Sequence, residues 1–564
     1  MTFKTRFIQY RGARYTRNKQ VADKLNIRGA DAIFLPEKKG VLKKQKTLVD
    51  RMRISSKLCA TDSGTEPVNI DNIFRTIQHF QRLKSVEVCL FGKVEDKVFK
   101  RMKKYLKRIV LQNKVETLKL YFGRMSSNQQ FFSLKELVYL RSLRNLQLIL
   151  GGYNVSKVEK TLQSIQPAAK RKYWPALQLF GIEFNPKFEH HGEEFDKQVC
   201  RFFYALGSIS KIKAQIPISV RLNLQWNDRG ELFSLPNNDR QVIEGFAHVN
   251  WLYFAGSLNR YYQYFLRSKK VVQNLKELSF FLDCSSRDKS FEAFYTLLIQ
   301  NLPHMKSLKK VELDHLYLES SDDQSKKLLR AFQRNFLVTD FAFNLSHFDK
   351  ISDELFGDLL GTVNSLTNLN SLRIQFAKCK LVSDLKFNFE NFFRQFYCSC
   401  GVTRLTLQFS DFGETLTDAS FEDLCQAIKR LGLLKELDLR FTKSGISSQG
   451  VRKLTEILPN FLQLEKLNLD LSDILLTSED ALNFVKCQSG LRNLCNLMWA
   501  INIEEFTEIL AKELIWTLCE NLKRLNYIGL ELVRTKNKDS DIEISTQAII
   551  QSLKNKMMIN FDFL

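Results

Sequence analysis

One phrase recurs through this chain: an apolar residue, another three positions on, and a third two positions after that. It reads Leu434-Lys-Glu-Leu437-Asp-Leu439 and again Leu464-Glu-Lys-Leu467-Asn-Leu469. Further copies, given by their three apolar positions, are Leu83/Val86/Val88, Val115/Leu118/Leu120, Leu143/Leu146/Leu148, Leu275/Leu278/Phe280 and Leu308/Val311/Leu313. Then come Leu369/Leu372/Ile374, Val402/Leu405/Leu407 and Leu522/Leu525/Tyr527. Weaker copies stand near 177–179, 220–224, 249–253, 338–343, 491–497 and 557–561. From Val86 to Ile559 the step averages about 31 to 32 residues, the period of a long repeat unit. A repeat at fixed period decides the architecture before any motif is weighed. Such stacks mostly present surface rather than a closed catalytic pocket.

The phrase has strand character, because Leu437 and Leu439 alternate with Glu436, Asp438 and Arg440. The residues beyond it have helix character. Val451, Leu454, Ile457 and Leu458 fall on one helical face, Ser447 or Ser448 is placed to cap its start, and Pro459 closes it. Each unit therefore reads strand, loop, helix, return. One unit cannot bury its apolar face alone, whereas stacked units can. Strands stack about 4.8 Å apart and helices about 10 Å apart, so such a stack is expected to curve with its strands inside.

Residues 434–469, with their strand, Ser-Gly-Ile loop and Leu-x-x-Ile-Leu helix, resemble a leucine-rich repeat of the long, ribonuclease-inhibitor-like type. The resemblance covers about 75–564, is strongest over 369–470 and is degenerate over 180–260. The family's usual Asn after the strand is mostly missing. The fold it implies is an α/β leucine-rich repeat solenoid. That is a curved horseshoe with a parallel sheet on the concave side and helices on the convex side. The expected division is a basic extended arm over 1–65 and a solenoid of about 15–16 irregular repeats over 66–564. The family implies a binding role without naming a partner.

Charge is distributed unevenly. Lys and Arg number 85 against 61 Asp and Glu, a net of +24. Residues 1–60 hold sixteen Lys and Arg against four acids, so half of the net charge lies in about a tenth of the chain. Arg6, Arg11, Arg14, Arg17 and Lys19 are interleaved with Phe3, Phe7, Tyr10 and Tyr15, and Lys38, Lys39, Lys43, Lys44 and Lys46 come after them. Three readings are open for this arm: a solvated tail, a mitochondrial presequence, or a segment that orders on an anionic partner. Residues 97–114 add eight Lys and Arg and no acid. There Phe99, Met102, Leu106 and Ile109 form the apolar stripe of a predicted helix. Lys100, Arg101, Lys103, Lys104, Lys107 and Arg108 fall largely off that stripe, as a solvated face or as an extension of the arm's basic surface.

Phe is abundant at 45 residues, and Phe280, Phe376, Phe409 and Phe441 occupy Leu positions of the repeat, as core filling. Eleven cysteines, with Cys89, Cys425, Cys495 and Cys519 in or beside repeat cores, show no framework spacing and read as reduced thiols in an intracellular compartment. The mitochondrion is one such compartment, with the cytoskeleton or cilium and the nucleus as alternatives. No apolar run approaches the roughly 18 residues a bilayer span needs.

Catalytic chemistry is not legible. There is no G-x-x-x-x-G-K-[ST] loop and no H-E-x-x-H. His190-His191-Gly-Glu193-Glu194 lacks helical ligand spacing, and Cys398-Ser-Cys400 is too isolated to hold zinc. Gly445-Ile-Ser447-Ser448-Gln449-Gly450 resembles a nucleophile elbow, but Gln449 stands where the second Gly belongs. Irregular stretches near 186–200, 226–245 and 532–545 read as loops. The expectation is a non-enzymatic scaffold or adaptor without cofactor or metal, its solenoid binding protein. Its arm would dock on RNA or another polyanion in a ribonucleoprotein, with the mitochondrial ribosome as one example. The alternatives are a cytoskeletal or ciliary protein on acidic tubulin, and a soluble regulator that wraps an enzyme.

Overall fold

The computed structural model describes residues 51–57, 84–91, 104, 108, 115–122, 142–153, 179–186, 218–226, 249–256, 266–283, 289–316, 323–335, 337–346, 351–377, 379, 389–396, 401–504, 508–522, 524–525, 527–533 and 558–563. The fold is α/β, with parallel strands and helices alternating along the chain. Two compact units divide it: residues 1–255 with 259–275, and residues 276–564 with 256–258.

The first unit holds β1 (Arg51–Lys57), β2 (Ser85–Phe91), β3 (Thr117–Phe122), β4 (Asn145–Tyr153), β5 (Leu179–Pro186), β6 (Ile218–Trp226), β7 (Val249–Gly256) and the short helix α1 (Lys269–Asn274). Its strands pair in parallel, in register: Arg51 lies opposite Ser85, Ser85 opposite Thr117, Thr117 opposite Asn145, and Asn145 opposite Leu179. β6 continues beside β5, with Phe180 opposite Ile218. β1 falls within the stretch expected as the basic arm, and its in-register pairing places these seven residues in the sheet instead. The reason is a period-two pattern without the leading Leu-x-x-Leu: Met52 and Ile54 align with Val86 and Val88.

The second unit is built of strand–helix units. Its strands are β8 (Glu277–Asp283), β9 (Lys310–Leu316), β10 (Asp340–Ser346), β11 (Ser371–Ala377), β12 (Arg404–Ser410), β13 (Gly413–Thr417), β14 (Glu436–Arg440), β15 (Ser444–Gly445), β16 (Lys466–Leu476), β17 (Asn496–Ile503), β18 (Tyr527–Val533) and β19 (Met558–Phe563). Its helices are α2 (Lys289–Asn301), α3 (Asp323–Phe332), α4 (Asp353–Ser365), α5 (Phe389–Arg394), α6 (Asp418–Lys429), α7 (Ser448–Ile457), α8 (Ser478–Cys487) and α9 (Glu508–Asn521). Apart from the small β13–β15 pair, one register line runs through Glu277, Lys310, Asp340, Ser371, Arg404, Glu436, Lys466, Asn496, Tyr527 and Met558. Successive members are 30 to 33 residues apart, in keeping with the expected period.

Strands β9, β11, β14, β16, β17 and β18 are entered the same way. The first leucine of the phrase closes a tight turn on an apolar residue three positions earlier, as Leu434 N donates to Leu431 O and Leu464 N to Phe461 O. One carbonyl per unit then accepts two amides from the next: Lys435 O takes Glu465 N and Lys466 N, and Glu465 O takes Cys495 N and Asn496 N. This entry corrects one phrase. Leu522, Leu525 and Tyr527 are not its three apolar positions, because Leu522 belongs to the turn and Leu525 N donates to its carbonyl. The true positions are Leu525, Ile528 and Leu530, and Tyr527 takes the register place of Asn496. The turn uses the same three-residue apolar spacing as the phrase, so the two look alike in sequence.

Between strands and helices lies the core. Phe343, Phe376 and Phe409 lie on successive strands and Phe441 directly follows the next, β14, all without measurable exposure. Their rings form a ladder, with centroids 6.2 Å apart from Phe343 to Phe376, 5.6 Å on to Phe409 and 6.1 Å on to Phe441. Phe389 and Phe393 of α5 meet Phe409 edge-on at 5.7 Å. The excess of Phe is thus core filling here: burying each ring contributes about 1.5–3 kcal/mol, and aromatic pairing adds about 0.5–1.5 kcal/mol.

Candidate functional site

Because the strand period is two, burial of one parity leaves the other open. In β11 the residues Leu372, Ile374 and Phe376 are buried while Ser371, Arg373 and Gln375 are not, and β12, β14, β16 and β17 repeat this. The in-register pairing lines up the open positions into three rows. The first row is Glu277, Lys310, Asp340, Ser371, Arg404, Glu436, Lys466 and Asn496. The second is Glu312, Ala342, Arg373, Thr406, Asp438, Asn468 and Met498, with the buried Ser279 in register before Glu312, and the third holds Asp314, Asn344, Gln375, Gln408, Arg440, Asp470 and Ala500.

Side chains of these rows bond to one another across strands. Ser279 Oγ donates to Glu312 Oε2 at 2.8 Å, Asn344 Nδ2 to Asp314 Oδ1 at 2.9 Å, Gln375 Nε2 to Gln408 Oε1 at 3.2 Å and Asn468 Nδ2 to Asp438 Oδ1 at 3.0 Å. Asp438 also receives both arms of Arg440 at 3.0 Å. Lys466 pairs with Glu436 at 2.6 Å, and Arg404 reaches Asp340 at 2.6 Å across the small Ser371. The face is a polar lattice held in its own plane, which limits rotamer freedom and prepares a rigid surface.

Its charge differs from that of the chain. Five cations (Lys310, Arg373, Arg404, Arg440, Lys466) face seven carboxylates (Glu277, Glu312, Asp314, Asp340, Glu436, Asp438, Asp470). The net of −2 contrasts with +24 overall. Burial pushes the Asp314 carboxyl up to about 6, and the neighbouring Glu312 charge adds to this, against Arg373 and the Asn344 amide. Burial also pushes on Glu312, but hydrogen bonds from Lys310 and Ser279 outweigh it and hold that carboxyl below its usual value.

Of the basic residues singled out in the sequence, Lys104 and Arg108 are described: both are helical and exposed, one turn apart. Arg6, Arg11, Arg14, Arg17, Lys19, Lys43, Lys44, Lys46, Lys100, Arg101, Lys103 and Lys107 lie outside the described residues, as do His190, His191, Cys398 and Cys400. The elbow-like segment is a helix start. Ser447 Oγ accepts from Gln449 N at 3.1 Å and donates to Asp418 Oδ2 at 2.6 Å, which makes it the N-cap of α7. Cys379, Cys425, Cys487 and Cys495 are free, and burial pushes Cys425 and Cys487 up to about 12, so these two thiols stay protonated and unreactive near neutral pH. Among the described residues no group of three His, Cys, Asp or Glu could hold a metal ion, and no helix is long and apolar enough to cross a membrane.

The parity of the open face is readable from Leu437-Asp438-Leu439-Arg440. The cross-strand partnerships, such as Arg404 with Asp340 over 64 positions, are not. No protein-family model and no curated protein matches the chain. Among solved structures it is similar to one described as "Crystal structure of Rad7 and Elc1 complex in yeast". The identity is 15%, the match covers 72% of this chain and 90% of that one, and the TM-score is 0.34, a likeness too slight to bear on partner or role.

Proposed function

We propose that this chain is a non-catalytic scaffold, a leucine-rich repeat solenoid of the long type curved around its strands, and that the open strand face of its second unit docks protein. The observation that carries this reading is the pre-bonded lattice of mixed charge on a face whose net charge opposes that of the chain. A polyanion would meet seven carboxylates there, whereas a protein surface can match both signs. The lattice is shared by many strands, which suits a broad partner better than a small substrate.

The test is site-specific photocrosslinking. A crosslinker in place of Thr406 on the strand face is expected to give protein adducts, and one in place of Lys429 at the end of α6 is not. Adducts from the helix position alone would reverse the assignment.

A second, separate contact is read on the basic N-terminal region, where Lys104 and Arg108 stand exposed one helical turn apart. Its partner in this reading is RNA of a ribonucleoprotein. Sedimentation in a large particle that nuclease dissolves supports RNA. A particle indifferent to nuclease favours an acidic protein such as a tubulin surface.

A further inference from the structure

We propose that Arg373 and Met498 are the two anchor points of the strand face, and that its occupant is a protein segment presenting a carboxylate to Arg373 and an apolar side chain to Met498. The inference rests on the docking role of this face and names the chemistry of the partner.

Four of the five cations on this face are already neutralised: Lys310 by Glu312, Arg404 by Asp340, Arg440 by Asp438 and Lys466 by Glu436. Arg373 is exposed and makes no hydrogen bond or ion pair among the described residues. Beside it stand Ala342, Thr406, Ser371 and Gln375, which bring hydroxyl and amide groups and no carboxylate. Glu312 and Asp314, two strands away on β9, feel its charge without bonding it, and each already holds other partners. A guanidinium without a bonded anion is a carboxylate receptor, since its fork matches the two carboxylate oxygens.

Met498 is the exception of the opposite kind. It is 45% exposed in a row whose neighbours Asp438 and Asn468 are bonded to each other. On its other side the register places Gly529, which has no side chain, just as Ala342 sits beside Arg373. The two anchors therefore each adjoin the shortest residues of the row, where a partner side chain has room. Thioether side chains adapt to varied apolar contacts, and Arg is among the residues that most often dominate binding energy.

Spacing makes the proposal specific. From β11 to β17 the order runs through β12, β14 and β16, four strand steps of about 4.8 Å or about 19 Å in all. A helix lying along the row covers that distance in just under four turns, and residues about 14 apart, at about 21 Å, return to the same face.

The experiment selects binders to the full-length chain from a displayed library of random peptides about 20 residues long, enough as a helix to span about 30 Å. Enriched peptides are expected to carry Asp or Glu about 14 residues from Leu, Ile, Phe or Met, four helical turns that bring both onto one face. Their affinity is expected to fall about tenfold or more on Arg373→Glu, with partial recovery when the peptide acid becomes Lys, and to fall on Met498→Asp. Both substitutions are at exposed positions, so thermal melting serves as the folding control. Peptides lost on Thr406→Arg and Asn468→Arg but indifferent to Arg373→Glu and Met498→Asp would leave the docking face standing and overturn the anchors. Peptides indifferent to all four, or an empty selection, would overturn both. Displacement of bound peptide by single-stranded RNA would put a polyanion in place of the carboxylate segment and overturn the proposal.

Discussion

Gln488 has no exposed surface, and neither its Nε2 nor its Oε1 has a hydrogen-bond partner among the described residues. It opens a short 3₁₀ turn (Gln488–Gly490) where two other units place Leu302 and Leu458, both buried. An unsatisfied buried amide costs about 1–3 kcal/mol, so Gln488→Leu is expected to raise stability by about that amount in urea unfolding. Asp314 is the titrating counterpart. Its carboxyl is raised from an unfolded value near 3.8 to about 6, so its stabilising contribution is full below the unfolded value and is lost as pH rises through about 6. Asp314→Asn retains an oxygen for the Asn344 amide and removes the buried charge. Melting scans should show the variant more stable than the parent at pH 7.5 and the gap closing by pH 4. An unchanged gap would mean that Asp314 is not shielded from water.

At the scale of elements, helices are fastened to one another at their starts. Asp418, the first residue of α6, accepts Ser447 N at 2.8 Å and Gly450 N at 3.0 Å, and so caps the next helix as well as beginning its own. Gly450 makes this contact possible: a Cβ there would lie 2.6 Å from Asp418 Oδ1 and 2.7 Å from Ile446 Cγ2. Alanine usually favours a helix over glycine by about 1 kcal/mol. Here Gly450→Ala is expected to destabilise by about 1–3 kcal/mol, because the bridging carboxylate has to move. A urea midpoint equal to or above the parent's would refute the bridge. Arg330 with Asp358, Arg394 with Asp423 and Arg452 with Asp480 likewise join consecutive helices at 2.7 to 3.0 Å. The two more exposed pairs, those of Arg330 and Arg394, contribute about 0–1 kcal/mol each, so they select the helix neighbour more than they stabilise it, whereas Asp480 is buried beneath Arg452.

For the whole molecule, the consequence of a stack is that disturbance travels between neighbours. Phe409 is a middle rung of the ring ladder and also carries the edges of Phe389 and Phe393. Phe409→Ala is expected to cost about 3–5 kcal/mol. In hydrogen exchange, the amides of β11, β12 and β14 should lose protection first while those of β16 and β17 lose less. Uniform loss across all these strands would show one cooperative core instead of a nearest-neighbour stack.

Local pattern carried much of this protein. Alternation in phrases such as Leu437-Asp438-Leu439 declares strands and their buried parity, the 31-residue step declares the repeat, and Ser447 with Pro459 bounds a helix, because each depends only on residues close in the chain. The strand at Arg51–Lys57 escapes such reading because its seven residues lack the leading leucine pair, and Tyr527 is misplaced by it because turn and strand share one apolar spacing. What tertiary structure alone decided is who stands beside whom. In-register stacking brings Arg404 onto Asp340, 64 positions away, and Lys466 onto Glu436, 30 positions away. Lys310 and Arg440 take acids of their own strands, Glu312 and Asp438, which leaves Arg373 as the cation of this face without a bond among the described residues. The long-range pairings follow from strand spacing and register, which no local window contains.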